Sequence, residues 1–139
     1  MSPLHILLAE DNRGDILLVS KALACHHIEH TLHVVRDGAE AIKFVWRMGK
    51  PGEPPCPDIM ILDLNLPKAD GVEVLSEFRK HPGCAPTPVI VVTSSDAPHD
   101  RARVAGMGVS RYFRKPSDLD SFMTLGSIIL EVIEECKCA

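Results

Sequence analysis

Carboxylates, a threonine and a lysine, each standing where an apolar run stops, carry the chemistry this sequence can perform. Glu10-Asp11 follow Leu4-His5-Ile6-Leu7-Leu8-Ala9, and Asp63 follows Ile59-Met60-Ile61-Leu62. Thr93-Ser94-Ser95 close the run Pro88-Val89-Ile90-Val91-Val92, and Lys115 follows the segment Val109 to Arg114. Carboxylates brought together repel one another, so such a group either holds raised pKa values or recruits a cation. Mg²⁺ is the natural choice, being hard, octahedral and usually bound through one or two carboxylates plus waters and phosphate. A lysine is a compact point charge that neutralises phosphate oxygens. An aspartate is a competent nucleophile toward phosphorus when a metal and a cation stabilise the developing charge. Phosphoryl transfer asks for little more than positioning and electrostatics.

These residues can act together only if the fold gathers them. The apolar runs 4–9, 59–62 and 88–92 read as buried strands, with a β-branched-rich strand over Thr31–Arg36 and a less apolar one over Val109–Arg114. Between them, Ile16, Leu17, Val19, Leu23 and Ala24 predict a helix over 13–25, and Asp37 caps a second helix whose apolar positions are Ala41, Ile42, Val45 and Trp46. A third helix covers Gly71 to Lys80, with Val72, Val74, Leu75 and Phe78 facing the core. Pro98 opens a fourth that runs to about Met107. Ser117 and Asp120 suggest a capping box for the last helix, which carries Leu119, Phe122, Met123, Ile129, Leu130 and Ile133. The stretch Gly49 to Pro57, dense in glycine and proline, is a loop.

Five strand–helix units with unbroken apolar strands imply a parallel sheet covered on both faces. Right-handed crossovers leave the doubly wound α/β order 2-1-3-4-5, a flavodoxin-like fold, as the expected solution. In that order strands 1 and 3 flank the switch point, so Glu10, Asp11 and Asp63 converge at the C-terminal sheet edge. Thr93 and Lys115 approach from the other side. Each residue also has a plainer reading: Glu10-Asp11-Asn12 as a helix cap, Asp63 as a loop carboxylate, Thr93 as a strand-end hydroxyl, Lys115 as a solvated charge and Tyr112 as a rim aromatic. Their joint placement at one edge favours the chemical reading.

The stretches Leu8-Ala9-Glu10-Asp11-Asn12, Ile61-Leu62-Asp63-Leu64-Asn65-Leu66-Pro67, Asp70-Gly71, Val92-Thr93-Ser94-Ser95 and Lys115-Pro116 resemble bacterial response-regulator receiver domains from Leu4 to about Glu135. The phrasing of residues 63–75 and 114–122 is most similar to the stand-alone receivers that serve phytochrome-type histidine kinases. The resemblance implies a receiver fold and a phosphoacceptor role for Asp63, with the phosphoryl group coming from a sensor histidine kinase. It implies Mg²⁺ held by Glu10, Asp11, Asp63 and the main-chain carbonyl of Asn65. Glu10 stands where the family often has aspartate, which still leaves a carboxylate. Thr93 and Lys115 would bind the phosphoryl group. Tyr112 matches the aromatic switch position, and Thr93 and Tyr112 would shift together on phosphorylation. The Lys115–Pro116 bond is expected to be cis. The protein would be a signalling switch rather than an enzyme, assisting only its own phosphotransfer and dephosphorylation.

The bulk properties agree. The 139 residues fit one domain, expected to span 1–139 with no output domain, so that the effect comes through partner binding. The net charge of −4 and the absence of a basic run argue against nucleic acid. No apolar stretch reaches the roughly 20 residues of a membrane helix, and the N-terminus lacks a signal peptide's features, so a cytoplasmic location is expected. Cys25, Cys56, Cys84, Cys136 and Cys138 are odd in number and widely spaced, which reads as free thiols rather than a disulfide framework. Cys25, His26, His27, His30 and His33 read as a solvated turn with partner contacts, their spacing matching no closed metal site. Leu125, Ile128 and Val132 form a second apolar stripe on the last helix, taken as a homodimer surface in the face of helix 4, strand 5 and helix 5.

Other functions fit less well. A haloacid-dehalogenase-type phosphatase also uses a strand-end aspartate but needs a second acid two residues on, where Asn65 stands. A flavin or nucleotide module needs a phosphate-cradling loop after strand 1, where Glu10-Asp11-Asn12-Arg13-Gly14 presents acids instead. A receiver-like scaffold that no longer accepts phosphate would not need the intact acidic set with Thr93 and Lys115.

Overall fold

In a computed structural model of the chain, residues 3–94 and 98–137 are described. The strands are β1 (Leu4–Ala9), β2 (His30–Val35), β3 (Ile59–Leu62), β4 (Val89–Thr93) and β5 (Val109–Arg114). The helices are α1 (Arg13–Cys25), α2 (Gly38–Arg47), α3 (Gly71–Lys80), α4 (Pro98–Arg103), α5 (Leu119–Met123) and α6 (Leu125–Lys137), with a 3₁₀ turn at Pro82–Cys84. All neighbouring strands are parallel, in the order β2-β1-β3-β4-β5. The expected topology is therefore the observed one.

Alternation along the strands divides the core in two. Leu7, Ala9, Met60, Leu62, Val89 and Val91 face α2 and α3, where Ala41, Val45, Val74, Leu75 and Phe78 meet them. Ile6, Leu8, Ile59, Ile61, Ile90 and Val92 face α1, α5 and α6, burying Val19, Leu23, Phe122, Leu125 and Ile129. Because both strand faces are covered, every side chain of β3 and β4 is buried, which is why these strands read as unbroken apolar runs. Asn12, Asp37, Asp70 and Asp118 cap α1, α2, α3 and α5 by accepting hydrogen bonds from backbone N–H groups three residues on.

At the end of the sheet remote from Glu10 and Asp63, one side chain ties several loops. The Arg79 guanidinium donates to the carbonyls of Ala85, Thr87, Met107 and Gly108 at 2.7–3.0 Å. It thereby binds the C-terminus of α3 to the segments entering β4 and β5.

Several expectations need correction. Leu125 and Val132 are core residues and Ile128 lies against the same cluster, so the stripe assigned to a homodimer surface is part of a wide core face. The last helix is broken at Thr124, whose Oγ1 donates to the Ser121 carbonyl at 2.6 Å. Its cap is Asp118, accepting from Ser121, rather than the Ser117–Asp120 pair. Leu17, Trp46, Leu119 and Leu130 are exposed, and the Trp46 indole N–H donates to Glu77. Cys56 and Cys84 form a disulfide, against the expectation of free thiols; the loop before β3 and the 3₁₀ turn before β4 bring them together across 28 residues. Cys25 and Cys136 are free and exposed, as expected, and Cys138 and Ser95 lie outside the described residues. Around the α1–β2 turn, His26 is held between the Ala22 carbonyl and Ser127, His30 by the Ile28 carbonyl, and His33 against His5.

Candidate functional site

The hydrogen-bond ladder of the sheet runs one residue beyond three of its strands. Glu10 N–H donates to Val35 O, Asp63 N–H to Ala9 O, and Lys115 N–H to Thr93 O, at 3.0, 3.0 and 2.8 Å. The reactive residues are therefore fixed by backbone register before their side chains make any contact. Glu10, Asp63 and Thr93 are nearly inaccessible, at 2%, 5% and 3% exposure, whereas Asp11 is exposed.

Two glycines let the loop after Asp63 lie where it does. A Cβ at Gly71 would stand 2.6 Å from Leu64 Cα and 2.9 Å from the Asp63 carbonyl oxygen. A Cβ at Gly38 would stand 1.8 Å from the Ala69 carbonyl oxygen. Only bare backbone allows α2 and α3 to begin so close to this loop, and Gly38 N–H and Gly71 N–H also donate to Pro67 and Leu64.

The Lys115 ammonium is the hub of the charged cluster. It lies 2.6 Å from Glu10 Oε1, 2.7 Å from Asp15 Oδ2 and 3.0 Å from Asp63 Oδ2. Glu10 Oε2 accepts from the N–H groups of Asp11 and Asn12, and Asp63 Oδ1 accepts from Asn65 N–H at 2.9 Å. The Asn65 side-chain amide donates to Thr93 Oγ1 at 3.3 Å, joining the β3 loop to the end of β4. Tyr112 sits farther out on β5: its hydroxyl donates to the Arg101 carbonyl of α4, and the Arg101 guanidinium lies 4.9 Å from its ring centre.

Burial pushes the Glu10 carboxyl up to about 7, helped by the nearby charge of Asp63 and opposed by Lys115. Burial would lower the Lys115 ammonium, but its hydrogen bonds to Asp15 and Glu10 and the charge of Asp63 outweigh that and hold it above its ordinary range. The result is a largely buried anionic pocket with one firmly charged amine in it. Glu10, Asp11 and Asp63 each offer a carboxylate oxygen, all within 4.8 Å of one another. This all-oxygen donor set, open on the Asp11 side, fits a hard divalent cation.

The sequence expectations for this cluster hold in geometry: Glu10, Asp11, Asp63, Thr93 and Lys115 come to one sheet edge. Asp15 was missed. An acid in the first turn of a helix reads as a complement to the helix dipole, which hid its second partner. The cis expectation for Lys115–Pro116 is not met, since no cis peptide bond occurs among the described residues. With the bond trans, the ordinary preference of about 0.5–1 kcal/mol is respected. Lys115 still completes the β4–β5 ladder and reaches all three carboxylates.

Comparison with known proteins points one way. The family model described as response regulator receiver domain matches residues 6–125. The response regulator Rcp1 of a Synechocystis species is 38% identical over 117 residues, covering 84% of this chain and 80% of that protein. The crystal structure of the Mn²⁺-bound form of Rcp1 superposes with a TM-score of 0.80 at 36% identity, covering 91% of each chain. The phosphorylated cyanobacterial phytochrome response regulator RcpA gives a TM-score of 0.81 at 35% identity, covering 94% of this chain and 93% of that one. The bacteriophytochrome response regulator AtBRR gives 0.72 at 33% identity, covering 95% of each chain.

Proposed function

This chain belongs to the response regulator receiver domain family of two-component signalling, and on that footing we propose that it is a phosphorylation switch whose acceptor is Asp63. The observation that carries the reading is the Lys115 ammonium 3.0 Å from the buried Asp63 carboxylate, within a pocket that is otherwise acidic. A sensor histidine kinase supplies the phosphoryl group. A carboxylate oxygen of Asp63 forms the new P–O bond as the P–N bond of the phosphohistidine breaks, and the imidazole leaves with the electron pair.

Glu10, Asp11, Asp63 and the main-chain carbonyl of Asn65 would hold Mg²⁺, which supplies charge neutralisation at the phosphoryl oxygens. The chain's own residues do the rest. Asn65 N–H fixes the Asp63 carboxylate by holding one oxygen. Lys115 is already charged and needs only to exchange a carboxylate partner for a phosphoryl oxygen. Thr93 offers a hydroxyl to the same group, and doing so loosens its bond with Asn65. The rearrangement passes to Tyr112, whose hydroxyl now holds α4 through the Arg101 carbonyl. Two arrangements of α4 and β5 would then differ in population between the free and phosphorylated protein. The same pocket admits water to the acyl phosphate, so the protein limits the lifetime of its own signal.

We assign the chain as a single receiver domain over 1–139, cytoplasmic, acting through partner binding. No helix among its described residues is long and apolar enough to cross a membrane. The phytochrome response regulators among its relatives support a phytochrome-like kinase as donor. A second copy would dock on the face of α4, β5 and α6, whose exposed Arg111–Glu135 pair gives it a polar rim. The test is labelling with acetyl phosphate or beryllofluoride in Mg²⁺. Asp63→Asn should abolish it, chelator should block it, and label recovered on another residue would overturn the assignment.

A further inference from the structure

A second cluster of ligand-type side chains lies at the opposite end of the sheet from Asp63. Cys56 lies in the loop before β3, His81 follows the last turn of α3, and Cys84 closes the 3₁₀ turn before β4. One ligand atom from each, the two sulfurs and an imidazole nitrogen, lie within 4.8 Å of one another. Cys84 is fully buried, while Cys56 and His81 are half-buried.

The histidine is oriented as a ligand would be. Its Nε2 lies 2.9 Å from the Met48 carbonyl, which can only accept, so Nε2 carries the proton. Its Nδ1 therefore has a lone pair, which accepts from Gly83 N–H at 3.2 Å and faces Cys56 Sγ at 3.7 Å. A ring nitrogen pinned to a backbone carbonyl, with the other facing a cysteine sulfur, is the arrangement that fixes tautomer and direction in metal-ligating histidines. The surroundings are also tight: a Cβ at Gly83 would come 3.3 Å from Cys56 Sγ.

We propose that Cys56, His81 and Cys84 form a redox-gated site for a thiophilic divalent cation of the zinc class. In the oxidised protein the sulfurs are bonded to each other and cannot bind. A dithiol reductant opens the site: two electrons and two protons pass to the cystine, and the reductant becomes a disulfide. The cation then displaces the two thiol protons, binds both thiolates and Nδ1, and releases Gly83 N–H. Tetrahedral Zn–S bonds of about 2.3 Å require the sulfurs to part to about 3.8 Å. A side-chain rotation of Cys56 toward its half-open side provides that. The fourth position is left to water or a small thiol. In a reducing compartment the pair rests as a dithiol, the state that binds. Soft sulfur donors and hard carboxylates select different metals, so this site and the Mg²⁺ pocket do not compete.

Cobalt titration tests this in the full-length chain with Cys25, Cys136 and Cys138 replaced by serine. After reduction by a phosphine that does not bind metal, one equivalent of Co²⁺ should raise a thiolate-to-cobalt charge-transfer band, displaced by Zn²⁺. The oxidised protein should give no band. Cys56→Ser should weaken binding at least tenfold, and so should His81→Ala, which leaves both sulfurs in place and guards against a folding failure at the buried Cys84. Excess Mg²⁺, which suits the carboxylate pocket, should leave the band in place. A reduced protein without the band, a band that persists in the oxidised protein, or affinity unaltered in both Cys56→Ser and His81→Ala would overturn the site.

Discussion

Lys115 and Asp15 stand 2.7 Å apart, closer than Lys115 and the proposed acceptor Asp63 at 3.0 Å. The ammonium is thus shared, and an arriving phosphoryl group must draw it away from a competitor. Asp15→Asn removes that competition. Beryllofluoride should then bind a few-fold more tightly, reflecting about 1 kcal/mol of a partly exposed ion pair. Weaker or unchanged binding in a titration would mean that Asp15 does not restrain the amine.

Lys115→Met leaves the carboxylates of Glu10, Asp15 and Asp63 facing one another without a cation. Removing one partner of a buried cluster costs about 3–5 kcal/mol. Urea denaturation in chelator at about pH 8 should register most of that loss, and Mg²⁺ should restore more stability to this variant than to the parent protein. A variant as stable as the parent in chelator would remove Lys115 from its central place.

Glu10 makes metal-free stability depend on pH. Its carboxyl is held at about 7 in the folded protein, against 4.5 ordinarily. Across that interval the folded state keeps a proton that the unfolded chain has released, so stability falls as pH rises from about 4.5 to about 7. The contribution is complete below 4.5 and gone above 7. Asp37, Asp70, Asp118 and Glu77 are held low and change below this window, Lys115 stays protonated throughout it, and His33, lowered by burial and by the neighbouring His5, adds a rise of the opposite sign inside it that Glu10→Gln leaves in place. Glu10→Gln should flatten the decline in chelator. Mg²⁺ affinity should be several-fold weaker at about pH 6 than at about pH 8, because the cation must displace that proton. Calorimetry finding equal affinities would count against Glu10 as a ligand.

Gly71→Ala places a methyl group against the Leu64 backbone and the Asp63 carbonyl. Overpacking of this kind costs about 1–3 kcal/mol. The strain falls on the loop that orients Asp63, so labelling by acetyl phosphate should slow along with the loss of stability in urea. Full stability would show that α3 can retreat freely.

Much of this molecule was legible in its sequence because the strands are buried on both faces. β1, β3 and β5 and helices α1 and α3 fall where apolar runs and helical spacing put them. Glu10, Asp63 and Lys115 were legible because charge at the end of a buried strand is conspicuous. What was hidden depends on neighbours distant in the chain. The Cys56–Cys84 bond needs two irregular segments to meet. Asp15 does two things, and only its role in the helix turn shows in one dimension. Leu125, Ile128 and Val132 were misjudged because helical spacing cannot say how widely the sheet and α1 wrap around a helix. Asp118 and Ser117 are both competent caps, and Asp118 takes the place because the helix begins at Leu119, which sets its carboxylate opposite the Ser121 N–H.

The four carbonyls gathered by Arg79 fix the points at which β4 and β5 begin. The opposite ends of these strands are tied through side chains instead, the Lys115 ammonium and the Asn65–Thr93 contact, which an arriving group can rearrange without disturbing the clamp. Phosphorylation at the proposed acceptor Asp63 would thereby be registered at the C-terminal sheet edge and the α4–β5 surface beside it, away from the Arg79 clamp.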